Sequence, residues 1–535
     1  MLKLLLNGKS GTITSAAIIV ASFSILSRFV GFIRDRILAG EFGASDTLDI
    51  YFAAFRVPDL LFQLMIVGAL SASFIPLFTR YVGKGDGARA WQMTNNILNI
   101  LAVAFGVFLI VAAVFAGQLA PLIAPGFDAV KQAAVADMAR VMFLAEFLLA
   151  ISMVYGSVLQ GAKRFALYSM APILYNVGII LGAVVIAPQF GTIGLAWGVV
   201  LGALLHLTLQ WIGVSSLGYR YKMVFDLKDK DVKHTLIQMI PRVMGLAVNQ
   251  VNFLAMTIIA STLAIGSVTI IQFAYNLNFF PVGVIAVSYA VAAFPTFCEL
   301  ANKNDRDAFT KSFSSTIRQV LFFIIPASAL FILLRAQIVR VVLGAGAFDW
   351  DATIATADTL GFFAFSFFAQ AIIYILVRAY FAHNDTLTPF IVGLVAATIN
   401  VVAALMLTKE YGVAGLAMAY SLAVVVQLIL LWAPLRARVG SLDELRIARS
   451  LVILSASAII GGFATQGMKA VVVQMITLET FIGVLLQGLI AGGVGLVVYG
   501  VAAYLFKSEE LTEFGRGLKR RLLKKAKPEE TVVAL

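Results

Sequence analysis

FGTIGLAWGVVLGALLHLTLQW, residues 190 to 211, is a predominantly apolar run long enough to cross a bilayer as a helix. It aligns without gaps on YGVAGLAMAYSLAVVVQLILLW, residues 411 to 432, pairing Gly191 with Gly412, Gly194 with Gly415, Leu195 with Leu416, Ala196 with Ala417 and Trp211 with Trp432. That offset is 221 residues; at 219, Pro76 and Phe78 match Pro295 and Phe297, and Tyr155 and Val158 match Tyr374 and Val377. Three anchors at nearly one period point to an internal repeat.

Composition places the repeat in a membrane. Of 535 residues, 61% are hydrophobic and 13% charged, with a mean hydropathy of +0.95, outside the range of soluble chains. Runs of apolar residues predict about fourteen spans, from 12–38 to 478–506. The fold class expected is an all-α polytopic membrane protein of about fourteen transmembrane helices, in two parallel six-helix lobes plus two C-terminal helices.

Five regions are expected: an N-terminal lobe (1–216), a cytoplasmic amphipathic linker (217–234), a C-terminal lobe (235–437), the last two spans (438–506) and a basic tail (507–535). Lysines and arginines cluster on one side of this map, including Arg80, Lys84, Arg89, Lys163, Arg164, Lys228 and Arg306. The opposite loops offer little beyond Lys131, Lys409 and Lys469. By the positive-inside rule both termini are cytoplasmic, and no removable signal peptide is expected. The net charge of +12 therefore meets anionic lipid headgroups rather than nucleic acid.

Several chemistries lose support. The lone Cys298 rules out an intramolecular disulfide framework, and His206, His234 and His383 lack metal-ligand spacing. No phosphate-binding loop occurs, since LNGKS lacks the first glycine. Two parallel bundles leave a cleft between them that can open alternately to either side, which suits a transporter. An ion gradient (H+ or Na+), the membrane potential, or consumption of cargo on the far side would then drive it; no other cofactor is expected.

Charge inside the first spans is the functional signal. SRFVGFIRDRILAGEFG, Ser27 to Gly43, puts Arg28, Arg34, Asp35 and Arg36 into an apolar run. At about 100° per residue, Ser27, Arg28, Gly31, Arg34 and Asp35 form one polar stripe, and Arg36 lies off it. The next span carries Asp46, Asp49, Arg56 and Asp59. Two readings stand: acids and bases that pair to fix packing, or a cationic site for an anionic substrate, whose phosphate oxygens suit guanidinium forks. Glu146 is a lone acid that could carry a proton. Asn249, Gln250, Asn252, Asn276, Asn278 and Asn400 are expected to hydrogen-bond between helices, Asp137 to pair with Arg140, and Arg242 to anchor headgroups or gate.

SRFVGFIRDRILAGEFGASDTLDIYFAAFRVPDLL closely resembles the start of the MurJ/MviN lipid II flippases, members of the multidrug/oligosaccharidyl-lipid/polysaccharide exporter superfamily. PRVMGLAVNQVNF and GSVTIIQFAYNLNFFPVGVIAVSYAVAAFP also resemble that family. The resemblance implies outward passage of undecaprenyl-diphosphate-linked disaccharide-peptide across the bacterial cytoplasmic membrane, through a V-shaped cavity between two lobes. It carries substrate binding to Arg28, Arg34, Asp35, Asp49 and Arg56. Apart from the resemblance, Arg242, Asn276 and Glu146 are the residues expected at a gate or in coupling. The last two spans would hold the lipid tail, and cell-wall synthesis proteins would be partners.

Departures from the family stand at Phe62, Gln63 and Val67, where many members carry two arginines and a glutamate, and at Asn276, where many carry an arginine. Export of another lipid-linked polysaccharide unit and a non-transporting cell-wall scaffold are the alternatives. A drug antiporter would favour acids in its cavity, and a membrane transferase would carry longer outer loops.

Overall fold

A computed structural model describes residues 13–67 and 74–524, and within them all side chains except those at 13–18, 67, 234, 236, 238–246 and 517–524. The described residues are helical and contain no strand. In chain order the helices are α1 (Ile13–Phe42), α2 (Asp46–Ala54), α3 (Arg56–Phe62), α4 (Ile75–Gly83), α5 (Gly87–Val114), α6 (Ala116–Ile123), α7 (Ala129–Gly161) and α8 (Phe165–Leu181). Then come α9 (Ala187–Phe190), α10 (Ile193–Ser215), α11 (Lys230–Ser261), α12 (Ser267–Pro281), α13 (Val287–Asn302), α14 (Arg306–Leu333) and α15 (Arg335–Val342). The last are α16 (Trp350–Phe365), α17 (Phe367–Ala382), α18 (Leu387–Tyr411), α19 (Val413–Val439), α20 (Glu444–Met475), α21 (Phe481–Leu505) and α22 (Glu509–Lys524).

Among the described residues ten helices are long and apolar enough to cross a membrane, or eleven if α16 and α17, bent by 48°, form one span. The three remaining expected positions fall on α1, on the short pieces α2 to α4, and on α11, whose described residues include the apolar stretch Ala247–Ser261; each of the three contains residues or side chains outside the described ones, so the count of fourteen stays an expectation.

Backbone corners repeat along the chain. Ten of the thirteen described residues in the left-handed region fall in pairs one repeat apart: Gly43 with Gly266, Gly85 with Asn304, Lys163 with Asn384, Gly191 with Gly412, and Gly218 with Gly440. A π-helical turn at Gln63–Val67 likewise returns at Val282–Ala286. The corners at Gly85 and Asn304 are each followed by an aspartate that caps the next helix. Asp86 accepts from the Arg89 amide and Asp305 from the Ala308 amide, both at 3.0 Å, satisfying donors a helix start leaves open.

The chain forms two compact units. The first takes the chain through Phe273 with Val342–Thr356 and Ala397–Ala419. Within it α10 packs on α7 and α8, and α1 on α8. Gly178 faces Gly202, and Gly182 faces Gly198, so closely that a Cβ on any of them would strike the opposing backbone. Small residues are what let helices approach this far where lipid supplies no hydrophobic drive.

In the second unit, Ala274–Val341, Ala357–Ala396 and 420 onward, α20 pairs with α21 and packs on α14. The terminal helix α22 is tied down by Glu510, which accepts from Arg318 Nη1 at 2.8 Å and from the hydroxyls of Ser450 and Ser508 at 2.6 and 2.7 Å.

Candidate functional site

The polar groups of the first spans converge within the first unit. On α1, Arg34 donates through Nε and Nη2 to one oxygen of Asp35, at 2.9 and 2.7 Å, and through Nη1 to Asn176 Oδ1 of α8 at 2.9 Å. The Asp35 side chain is 4% exposed and that of Arg34 is 23% exposed. The carboxylate is thus buried, and the Arg34 side chain is partly exposed. Asn176 is itself held by a bond from its amide to the Pro172 carbonyl at 3.0 Å, so the fork is aimed from both helices. Arg28, two turns earlier on the same stripe, is partly buried.

Arg56, at the start of α3, donates through Nε to Thr257 Oγ1 and through Nη2 to Gln272 Oε1, both at 2.6 Å, and lies 5.9 Å from the centre of the Phe253 ring. These partners are neutral, so the guanidinium is oriented without its charge being cancelled by them. Asp59, one turn on, accepts from Gln250 at 3.2 Å and from Gln63 at 3.4 Å.

Asp49 does something different from Arg34 and Arg56. It is buried, and its two oxygens accept from the Gly266 amide at 2.8 Å, the Thr269 amide at 2.8 Å and the Thr269 hydroxyl at 2.6 Å. Those amides open α12, so Asp49 acts as a cap supplied from a distant helix. The tight approach of Gly266 to the Ala44 carbonyl holds the same junction together.

Glu146 lies in the middle of α7 and is 3% exposed, with Oε2 lacking a hydrogen-bond partner among the described residues. Its electrostatic neighbours are Asp59 and Tyr175, and Tyr175 also feels Arg34. Buried polar atoms are nearly always bonded, so this orphan oxygen is unusual. Asn276 belongs to the second unit, and the side chain of Arg242 lies outside the described residues.

Other expected pairings form. Arg140 meets Asp137 at 2.6 Å, Asn400 donates to Asn252 at 2.7 Å, and Gln370 donates to Asn278 at 3.1 Å. Sequence reasoning missed Asn176, Thr257 and Gln272, which orient the arginines, and Asn95, Asn96 and Asn99, which bind the linker. The three asparagines had a visible signal, since polar amides at i, i+1 and i+4 mark one face of an otherwise apolar helix.

The family model for "Lipid II flippase MurJ" matches residues 38–486. The chain belongs to the MurJ family. Relatives include a probable lipid II flippase MurJ of Bdellovibrio bacteriovorus, 28% identical over 94% of this chain and 97% of the relative. Another from Vibrio cholerae is 27% identical over 93% and 95%, and a lipid II flippase MurJ of Burkholderia cenocepacia is 25% identical over 79% and 84%.

Among solved structures the chain is similar to a MurJ in an inward closed conformation, with TM-score 0.74 and 22% identity over 91% of this chain and 98% of that one. It also resembles an inward-facing multidrug transporter of the MATE family, with TM-score 0.65 and 13% identity over 80% and 99%. The fold is therefore that of MurJ and its transporter superfamily.

Proposed function

We propose that this protein is a flippase that carries lipid II, undecaprenyl-diphosphate-linked disaccharide-peptide, from the inner to the outer leaflet of the bacterial cytoplasmic membrane. Membership of the MurJ family supports the cargo, and one observation carries the site. Two guanidinium groups, Arg34 and Arg56, are held in fixed orientation inside an apolar helical unit by side chains from α8, α11 and α12.

A diphosphate is the chemistry such forks suit. Guanidinium N–H groups suit phosphate oxygens, and each of these two guanidiniums is oriented by protein partners before the ligand arrives, which lowers the cost of binding. Arg28 on the same stripe adds a third cation. Asp35 and Asn176 aim Arg34, and Asp49 fixes the start of α12, from which Gln272 reaches Arg56. The acids of the expected binding set thus act as positioning residues and the arginines as ligands. Neutralising the headgroup charge lowers its barrier to crossing hydrocarbon, while the polyprenyl tail stays in lipid along α20 and α21.

Exposure of the arginine site alternately to the two faces would complete transport, with both termini cytoplasmic and Arg242 and Asn276 in gating roles. No bond in the cargo is made or broken. Glu146 is the group to carry a coupling proton, since its carboxyl is buried and Oε2 is unsatisfied.

The test is outward exposure of lipid II in cells depleted of their own flippase and expressing this protein, unaltered or as Arg56→Gln at matched membrane levels. Exposure restored by the unaltered chain and lost with Arg56→Gln supports the reading. A well-inserted unaltered chain that restores nothing overturns it.

A further inference from the structure

Between α10 and α11 the chain from Tyr219 to Asp226 has no regular structure, yet its backbone is systematically hydrogen-bonded by three side chains of α5. Asn95 accepts from the Lys222 amide at 3.1 Å and donates to the Arg220 carbonyl at 3.3 Å. Asn96 accepts from and donates to the backbone of Asp226, at 2.8 and 2.9 Å. Asn99 donates to the carbonyls of Lys222 and Val224, at 3.2 and 2.9 Å, and accepts from the Tyr221 hydroxyl at 2.9 Å. The path runs out along α5 from Asn95 to Asn99 and returns to Asn96, so Met223 is its apex.

Depth follows from the helix. Asn99 is the last polar residue of α5, which runs on without another from Ile100 to Val114. At about 1.5 Å per residue the apex lies about 6 Å closer to the hydrocarbon than the feet of the loop. Side chains complete the pattern. Tyr221, Met223, Phe225 and Leu227, at every second position, are 58%, 90%, 55% and 60% exposed. Arg220, Lys222, Lys228 and Lys230 are exposed beside them, and Asp229 is buried against Arg89 at 2.8 Å.

A water-facing loop has no need to present four large apolar side chains, nor to have its backbone satisfied by buried asparagines. A loop in the headgroup region needs both, because peptide groups there lose water partners and apolar side chains find acyl chains. The four exposed cations complement an anionic surface. We propose that Tyr219–Leu227 is a membrane-interface wedge. It inserts Met223 and its apolar neighbours at the acyl–headgroup boundary of an anionic leaflet and holds lipid phosphates with Arg220, Lys222 and Lys228. The basic loops make that leaflet the cytoplasmic one.

The experiment places a single reactive thiol at the apex, Met223→Cys in a Cys298→Ser background, and separately Phe225→Cys. Each carries an environment-sensitive fluorophore in nanodiscs of phosphatidylglycerol or phosphatidylcholine. Expected is strong quenching by a nitroxide placed shallow on the acyl chain and weak quenching by aqueous iodide, for both positions. In native mass spectrometry, the preference for retained phosphatidylglycerol falls by about fivefold for each charge removed in Lys222→Gln and Lys228→Gln, the equivalent of about 1 kcal/mol per charge at a membrane surface. Quenching by iodide alone at both positions overturns the proposal, and so does protection from both quenchers, which is the signature of a covering protein surface.

Discussion

Arg34 of α1 and Asn176 of α8, 142 residues apart in sequence, are joined by a 2.9 Å hydrogen bond that fixes the direction of a guanidinium already paired to Asp35. This bond orders the experiments on the site. Arg34→Ala takes from the buried Asp35 the guanidinium it is paired with, and breaking a buried pair costs about 3–5 kcal/mol, so loss of transport alone would confound binding with folding. The double variant Arg34→Ala/Asp35→Asn removes that charge; it is expected to reach near-normal membrane levels while lipid II exposure falls by an order of magnitude or more. Quantitative immunoblotting beside an exposure assay separates the two.

Asn176→Leu tests orientation apart from charge. Arg34 keeps Asp35 but loses its second anchor, and exposure is expected to fall several-fold, less than in the Arg34 double variant. Titrating lipid II binding to the purified protein checks the order; equal losses in both variants would mean that Asn176 matters for more than aim.

Asp49→Ala leaves the first amides of α12 without their carboxylate. Loss of a cap typically costs about 0.5–2 kcal/mol, and a buried unsatisfied donor adds about 1–3 kcal/mol. A lowered thermal midpoint is expected. Asp49→Asn keeps one acceptor oxygen and should recover part of the loss in a thermal-shift measurement on detergent-solubilised protein.

Glu146→Gln replaces a buried carboxyl by an amide of nearly the same shape. Because Oε2 has no partner to lose, the variant is expected to be at least as stable as the parent. If Glu146 carries the proton, its transport no longer responds to an imposed pH gradient. Stability and gradient dependence, measured in the same proteoliposomes, distinguish this from a purely structural role.

The docking of α22 should depend on pH. Burial alone would raise the Glu510 carboxyl, but the Ser450 and Ser508 hydroxyls and Arg318 outweigh it and hold the group below the ordinary carboxylate range. A depressed folded-state value contributes stability above the unfolded value, lost as pH falls through the folded one. Protease cleavage near 509–524 is expected to stay slow at neutral pH and to rise below about pH 4, the ordinary carboxylate range. Glu510→Gln should cleave quickly at every pH.

What could be read from the sequence was whatever is local. Residues 190 to 211 announced a span because twenty-two residues without a formal charge, most of them apolar, have few other uses, and their echo at 411 announced the repeat. Asp137 and Arg140 were legible as a pair because three residues bring side chains together on any helix. Breaks at Phe115, Leu334 and Ser366 were not legible, for none of those residues is a proline or glycine. The same limit applied to the site. Arg34, Asp35, Asp49 and Arg56 stood out as charges in apolar runs, but their roles are set by partners up to 220 residues away. Asp49 in particular was legible as a charge in an apolar run, but its bonds from Gly266 and Thr269, more than 200 residues on, were not.

The paired left-handed corners bear on ancestry. If one gene was copied end to end, its two halves have since exchanged most of their side chains, and the turns have been the slower clock. Lys163 and Asn384 occupy the same corner with unlike chemistry, as do Gly85 and Asn304. A lineage can rewrite what a membrane helix displays, residue by residue, far more freely than it can move the places where the chain changes direction. Cargo can therefore drift between descendants of such a duplication while the architecture stays put.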